Sequence, residues 1–469
     1  VLVLDYMRRQ KQITPEIEAK ALTYVNEGYQ RLLTFEIRGG GFEWFGRPPA
    51  HVILSAYGLM EFHEMAKVYD VDPAVLERTR RWLLSKQEAD GSWAPPERVI
   101  DTVARKFRRD VLRNTAYVAW ALATTGFQGK ELDQATSYMK GHLREEMDTY
   151  TVALVANAFL SRDRKDGVGL SLLQTLAERA RVEKDTAMWT QEGTTALHGG
   201  GRAAEVETTA LAILAFRKAG NRPDLMKKAL SYLVSAKDSF GTYHSTQATI
   251  LAMKALLSAT GAPLADETGA DIRVLVNGDE AGRVKITPET SDVMRLVSLK
   301  EKLRTGGNRI ELEIRGKSSA AYQLVSRHYI PWPAEAVEKK EPLRIEVRYD
   351  KRTIALDDRL RCDVRVTNTT AQAAAMVIVD LGIPPGFDVD PSGFESLRGR
   401  GKIERYSLTG NQVILYFRRI AGGEVIEFPF TLKARYPIRA RTPASKVYMY
   451  YDPERRGVSE PVDLVVRGK

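Results

Sequence analysis

Glu205-Val206-Glu207-Thr208-Thr209-Ala210-Leu211-Ala212-Ile213-Leu214-Ala215-Phe216 and, downstream, Ser245-Thr246-Gln247-Ala248-Thr249-Ile250-Leu251-Ala252-Met253-Lys254-Ala255-Leu256-Leu257 decide the fold. Each carries hydroxyl residues suited to capping at its start, and in each the apolar residues recur three and four apart, which places them on one face of a helix. Between them a third amphipathic run, Leu225 to Ala236, leads into Ser239-Phe240-Gly241-Thr242-Tyr243-His244, with the turn at Gly241. Helix, Gly-x-aromatic turn, helix is the wall unit of an α/α toroid.

Working outward, residues 1 to about 262 read almost wholly as helices: Thr14–Leu33, His51–Tyr69, Pro73–Lys86, Asn114–Thr125, Thr149–Ser161 and Gly169–Arg181 precede the opening trio. Short Gly, Asp or Pro turns separate them. The hairpins Tyr24 to Phe42, Trp82 to Trp93 and Tyr232 to Tyr243 share one plan, and paired-helix repeats indicate a closed toroid or an open solenoid. The similarity of the last hairpin to the earlier ones favours closure.

After Gly261-Ala262-Pro263 the period changes from 3.6 to 2. Asp271–Gly278, ending in Asn-Gly, and Arg309–Gly316 read as strands of a small β domain, 263–337. A charged linker at Glu338-Lys339-Lys340-Glu341-Pro342 precedes Leu343–Val347, Leu360–Val366, Ala375–Asp380, Lys402–Ser407, Gln412–Phe417, Glu424–Leu432 and Ala444–Tyr451, about seven strands of a sandwich over 338–469. The expected fold is thus multidomain: an α/α toroid over 1–262, then two all-β domains.

Composition sets limits on function. At 469 residues and 43% hydrophobic, the chain can form several cores. No apolar run approaches the ~20 residues of a membrane span, and Val1 reads as a processing or fragment boundary. The one cysteine, Cys362, excludes an internal disulfide framework and a multi-cysteine zinc site; in phase with Leu360, Val364 and Val366, it reads as a core thiol. The net charge of +10 is interspersed with acidic residues and reads as a solvated surface, with no nucleic-acid fold beside it.

The conspicuous motifs have bland readings. Gln87–Trp93 is similar to the Gln-Trp turn of terpene cyclases, but no acidic cluster accompanies it, and Asp70-Val71-Asp72-Pro73 is a polar interhelix turn. His198-Gly199-Gly200-Gly201 would need a Gly-x-Ser-x-Gly elbow to serve as an oxyanion loop, and reads as a flexible interhelix loop. The six histidines show no metal spacing, and no cofactor is expected. Arg398-Gly399-Arg400-Gly401-Lys402 reads as a hairpin turn. An enzyme of the toroid class, a cyclase or carbohydrate-active enzyme, would require carboxylates or a metal converging in the toroid.

Ala204–Glu207 before an alanine-rich helix, Ser245-Thr246-Gln247, Leu4-Asp5-Tyr6, Leu22–Arg31 and Leu84–Gln87 together resemble the thioester domain of the α2-macroglobulin and complement family. Met376–Asp380 before Pro384-Pro385-Gly386-Phe387, and Lys446–Tyr451, resemble its receptor-binding macroglobulin domain; the intervening β region would correspond to a CUB-like domain. The resemblance spans nearly the whole chain, and its lack of disulfides suggests a bacterial member. It implies a protease inhibitor, not an enzyme: target proteases and the upstream macroglobulin domains are the partners, in the periplasm or outside the cell, in host defence. The family's Cys-Gly-Glu-Gln-type motif, which supplies the thioester, is absent from these 469 residues. Asp101 lies nearest the position of the family's thioester-attacking histidine, which implies direct reaction with amines. Tyr450 or Tyr451 would shield the thioester. A noncovalent interaction protein without thioester is the alternative within the family.

Overall fold

Helices begin where the sequence supplies caps. Thr14, Asp72, Asp148 and Asp166 accept hydrogen bonds from the first-turn amides of the helices they precede, and His51 does so through its ring nitrogen. The computed structural model describes residues 1–11, 13–94, 110–144, 147–238, 242–259, 269–287, 295–317, 322, 324–326 and 341–468. Its helices up to residue 259 are α1 (Leu2–Arg9), α2 (Pro15–Leu33), α3 (Val52–Met65), α4 (Pro73–Leu84), α5 (Asp110–Thr124), α6 (Lys130–Gly141), α7 (Thr149–Arg162), α8 (Gly167–Arg179), α9 (Gly201–Ala219), α10 (Pro223–Ser235) and α11 (Thr246–Ala259). Two short hairpins interrupt them, β1 (Glu36–Ile37) with β2 (Gly41–Phe42), and β3 (Arg181–Glu183) with β4 (Thr186–Met188). The expected turn at Gly241 lies outside the described residues.

Helices α3, α5, α7, α9 and α11 pack in succession as an inner barrel, with α4, α6, α8 and α10 outside them. Helix α7 is buried on every side, from Tyr150 to Leu160 without a break. Ala210, Ala212, Ala215, Ala252 and Ala255 have no exposed surface, so small side chains let the helices approach closely. Lys254 of α11 meets Glu61 of α3 at 2.9 Å, and α1 packs on α11, closing the ring.

One hydrogen bond recurs around this ring and gives the aromatic turns their purpose. The backbone N–H of Phe42 donates to Ser55 Oγ, that of Trp93 to Thr115 Oγ1, that of Trp189 to Thr209 Oγ1 and that of Tyr243 to Thr249 Oγ1, at 2.8 to 3.2 Å. Each aromatic residue ends an interhelix turn, and each hydroxyl belongs to an inner helix. The two indole N–H groups repeat as well, donating to Leu83 O at 2.8 Å and Leu176 O at 2.7 Å. A buried ring is thus anchored at both its backbone and its edge. The Gln87–Trp93 turn is one of these anchors.

The first strand group holds β5 (Gly269–Val276), β6 (Asp279–Ile286) and β7 (Ile310–Lys317), antiparallel in the order β6-β5-β7. Beyond it come β8 (Leu343–Tyr349), β9 (Thr353–Ala355), β10 (Arg359–Asn368), β11 (Ala374–Gly382), β12 (Phe387–Asp390), a helix α12 (Ser392–Gly399), β13 (Arg405–Leu408), β14 (Gln412–Ile420), β15 (Val425–Ala434), β16 (Ile438–Arg441), β17 (Lys446–Met449), β18 (Asp452–Val458) and β19 (Asp463–Arg467). Sheets β12-β15-β10-β8 and β13-β14-β11-β17-β18 face each other across a core that includes Val364, Val379, Leu415, Phe430 and Val447, and β16-β19-β9 forms a third sheet. Cys362 is fully buried on β10, and burial pushes its thiol up.

Three expectations are corrected. Arg398 and Gly399 close a helix instead of forming a hairpin turn, because Phe394 on its inner face packs against Tyr406 and Phe430. The strand expected over Ala444–Tyr451 stops at Met449; Tyr450 and Tyr451 are the two-residue turn into β18. Among its described residues the terminal domain has twelve strands against the about seven expected, the additional ones being short or interrupted by Pro and Gly.

Candidate functional site

The β17–β18 turn carries its tyrosines to the amino-terminal end of α9. Tyr450 stays 42% exposed, whereas Tyr451 is 8% exposed and seated against the toroid. Its ring centroid lies 5.6 Å from that of Trp44 and 6.3 Å from that of His198, and its carbonyl accepts from Gly200 N at 3.2 Å. Parity along β17 would send Tyr451 inward with Val447 and Met449. Because the strand has ended, the side chain meets the neighbouring domain instead of its own core.

The His198-Gly199-Gly200-Gly201 segment is therefore a packed seat, not a flexible loop. Gly199 and Gly200 are buried, and a Cβ on Gly200 would stand 2.7 Å from Asp452 Oδ2. The absence of side chains brings the Asp452 carboxylate against the start of α9, whose cap residue Gly200 offers no side chain of its own. Burial pushes the Asp452 carboxyl up, while Arg455 holds it down.

A second contact lies beside the first. Arg418 of β14 pairs with Glu43 at 2.9 Å and with Glu404 at 2.8 Å, and its guanidinium lies 5.8 Å from the Phe45 ring centroid. Glu43 is 2% exposed; its other oxygen accepts from Phe45 N at 2.7 Å, so the carboxylate shapes the Trp44–Phe45 turn while it binds the sandwich. His51, behind Trp44, accepts from Leu54 N through Nδ1. Burial, with His198 and Arg418 nearby, lowers its pKa to about 4, so it stays neutral and able to cap.

Beneath Tyr451 is a group of polar side chains that the toroid leaves unsatisfied. Glu207 is fully buried, neither of its oxygens makes a well-formed hydrogen bond, and a Cβ on Gly199 would stand 2.4 Å from its Oε1. Burial pushes its carboxyl up to about 8, with the Thr195 hydroxyl acting the other way. Its charge is felt by Tyr57, Tyr117, Tyr150 and Tyr451, so all four phenols lie within electrostatic reach. Tyr150 OH and Gln247 Oε1 are also buried without partners, and Gln247 Nε2 donates to Tyr117 OH at 3.4 Å. Buried polar atoms of this kind mark a place suited to one more polar group.

Sequence reasoning singled out Tyr450 and Tyr451, and the structure brings only Tyr451 to the toroid. Asp101 lies outside the described residues. Trp44, Glu43 and Arg418 were missed, and His198 was noticed only as part of a loop, since their proximity arises from docking of two domains. Glu207 could have been found: it shares a helix face with Ala203, Ala204, Ala210 and Leu211, where a carboxylate is out of place. Among the described residues no group of three or more His, Cys, Asp or Glu side chains is arranged to hold a metal, and no helix is long and apolar enough to cross a membrane.

Comparison with known proteins places these features. Residues 1–258 match the A-macroglobulin TED domain, and residues 372–461 match the A-macroglobulin receptor binding domain. Ovostatin of Gallus gallus is 23% identical across 99% of this chain, which spans 32% of that protein's length. Native α2-macroglobulin of Escherichia coli, from domain MG7 to the C-terminus, superposes with a TM-score of 0.67 at 14% identity, covering 98% of this chain and 70% of that one. Salmonella α2-macroglobulin reacted with methylamine gives 0.65 at 15% identity, covering 97% of this chain and 28% of that one.

Proposed function

The chain belongs to the α-macroglobulin family, and we propose that it is the carboxy-terminal portion of an endopeptidase inhibitor, a protease trap that does not turn over substrate. Its units are the thioester-type toroid, 1–262, a CUB-like β domain, 263–337, and the receptor-binding-type sandwich, 338–469. The observation that supports this reading is the docked joint: Tyr451 covers the end of the inner barrel at which Glu207, Tyr150 and Gln247 leave buried polar atoms unpaired.

In a complete parent this end would receive the acyl group of a Cys–Gln thioester. Docking of the sandwich keeps water away, and cleavage of a bait by a target protease releases it, exposing the acyl group to lysine amines. Tyr451, not the half-exposed Tyr450, is the shield. Asp101 is the residue nearest in sequence to the place of the family's attacking histidine, and without that histidine transfer goes directly to the amine. The upstream macroglobulin domains and the protease are the partners, and the protein works in host defence in the periplasm or outside the cell.

The test is made in the parent protein including the segment before Val1. The reading expects incorporation of methylamine there, covalent capture of protease, and faster spontaneous thioester hydrolysis in Tyr451→Ala than in Tyr450→Ala. Residues 1–469 alone take up no methylamine. A parent without an amine-reactive thioester would favour the noncovalent interaction protein, and equal hydrolysis in both variants would remove the shield assignment.

A further inference from the structure

Glu207 stands near the start of α9 with no exposed surface, and among the described residues no lysine or arginine forms an ion pair with it. It is a carboxylate without a counter-charge. Arg113, which lies over the Tyr150 ring of the same group, is taken up by Asp148 at 2.8 Å. Tyr57, Tyr117, Tyr150 and Gln247 stand near the amino-terminal ends of α3, α5, α7 and α11, as Glu207 does in α9, so the inner helices run parallel and their positive ends converge here. Gly199 puts no side chain between Glu207 Oε1 and the loop on which Tyr451 rests.

An unpaired buried carboxylate is a poor structural element. It costs stability wherever it ionises, and a glutamine would fill the same space without that cost. Such a group is suited instead to gaining and losing a proton. Burial lifts its carboxyl to about 8, with Thr195 acting the other way, so the exchange falls close to neutrality, where a general base is most useful. The neighbouring histidines are less suited: Nδ1 of His51 is engaged by Leu54 N, and burial lowers the proton affinity of both His51 and His198.

We propose that Glu207 accepts a proton from the amine that attacks the acyl group, and so is the base of the amine-transfer step. This role requires the thioester proposed above for this end of the parent protein. An alkylamine such as lysine, with a pKa of about 10.4, is almost wholly protonated at neutral pH, and an ammonium has no lone pair with which to attack. Glu207 removes the first proton. The freed lone pair forms the C–N bond to the acyl carbon, the C–S bond breaks, and the sulfur leaves with its electron pair. The second surplus proton on nitrogen passes to that thiolate, and Glu207 releases the first to solvent. The amine arrives from the side that Tyr451 covers, where Gly199 and Gly200 carry no side chains.

The experiment compares the parent protein, including the segment before Val1, with its Glu207→Gln variant at neutral pH, following thiol release on addition of methylamine or of hydroxylamine. Methylamine is protonated under these conditions and hydroxylamine is not, so only the first needs a base before it attacks. Glu207→Gln should slow the methylamine reaction roughly a hundredfold, within the range of general-base catalysis, and leave the hydroxylamine reaction almost unchanged. The variant removes a buried charge and should fold, and its reaction with hydroxylamine shows the thioester to be intact. Equal slowing with both amines would mark a structural role and overturn the proposal, as would an unslowed methylamine reaction. A parent from which neither amine releases a thiol overturns the thioester reading, and this role with it; in the other two cases the parent's own reactivity stands.

Discussion

Glu43 of the toroid and Arg418 of the terminal sandwich form an ion pair at 2.9 Å in which the carboxylate is almost entirely buried and the guanidinium half exposed. The two partners are therefore unequal. Removing Arg418 strands a buried charge, whereas removing both leaves nothing to solvate.

Arg418→Met should destabilise the docked chain by about 1–3 kcal/mol, less than a fully buried pair because half of Arg418 is already in water. Glu43→Gln combined with Arg418→Met should cost less than the sum of the single changes. Urea unfolding of the four proteins in the cycle measures this; additive losses would show that the pair does not couple.

Glu207 makes stability depend on pH in a stated direction. Its carboxyl is raised from 4.5 to about 8 in the folded chain, so the folded state holds the proton more tightly. The favourable contribution is complete below pH 4.5 and is lost as pH rises towards 8. Glu207→Gln, which cannot ionise, should be more stable than the parent sequence by roughly 2–5 kcal/mol at pH 8.5 and close to it at pH 4.5. Denaturant midpoints at the two pH values decide the matter.

The repeated aromatic anchors should be individually costly to break. Thr115→Val keeps the shape of the side chain but leaves the Trp93 N–H buried without its 3.0 Å acceptor. A loss of about 1–3 kcal/mol is expected. Thr115→Ser should restore most of it, and equal losses for Val and Ser would point to packing instead of the hydrogen bond.

Crowding at the inner barrel gives a fourth expectation. Ala212 has no exposed surface, so Ala212→Leu must displace neighbouring helices, at a cost of roughly 1–3 kcal/mol. A thermal-unfolding midpoint unchanged by the substitution would mean that the barrel encloses unused space.

The helical half was legible because its signals are local. Caps such as Thr14 and Asp72 and the periodic runs around Ala210 and Ala252 placed most helices within a few residues. Helix α1 is only eight residues long, α6 went unread although Leu132, Ala135 and Met139 fall three and four apart on its buried face, and the short strands of the sandwich are defined by their partners. The joint was half legible. The Lys446–Tyr451 run drew notice for its aromatics, but which tyrosine faces the toroid depends on where β17 stops, and that is set by pairing with β18. Glu43 and Trp44 carry no local mark, and His198 stands in a conspicuous glycine run that does not itself tell what it packs against, because their surroundings come from residues far along the chain.

Tyr451 occupies a two-residue turn whose flanking strands are paired with each other and, through β17, with β11 in the middle of a five-stranded sheet. Its backbone has almost no freedom of its own, and its carbonyl is held by Gly200. With the backbone held in this way, uncovering that end in full takes a movement of the sandwich as a body, a motion of microseconds or slower. The frequency with which solvent samples the covered end is thus set by a domain displacement, and a change anywhere in the Glu43–Arg418 contact alters that frequency without touching the tyrosine.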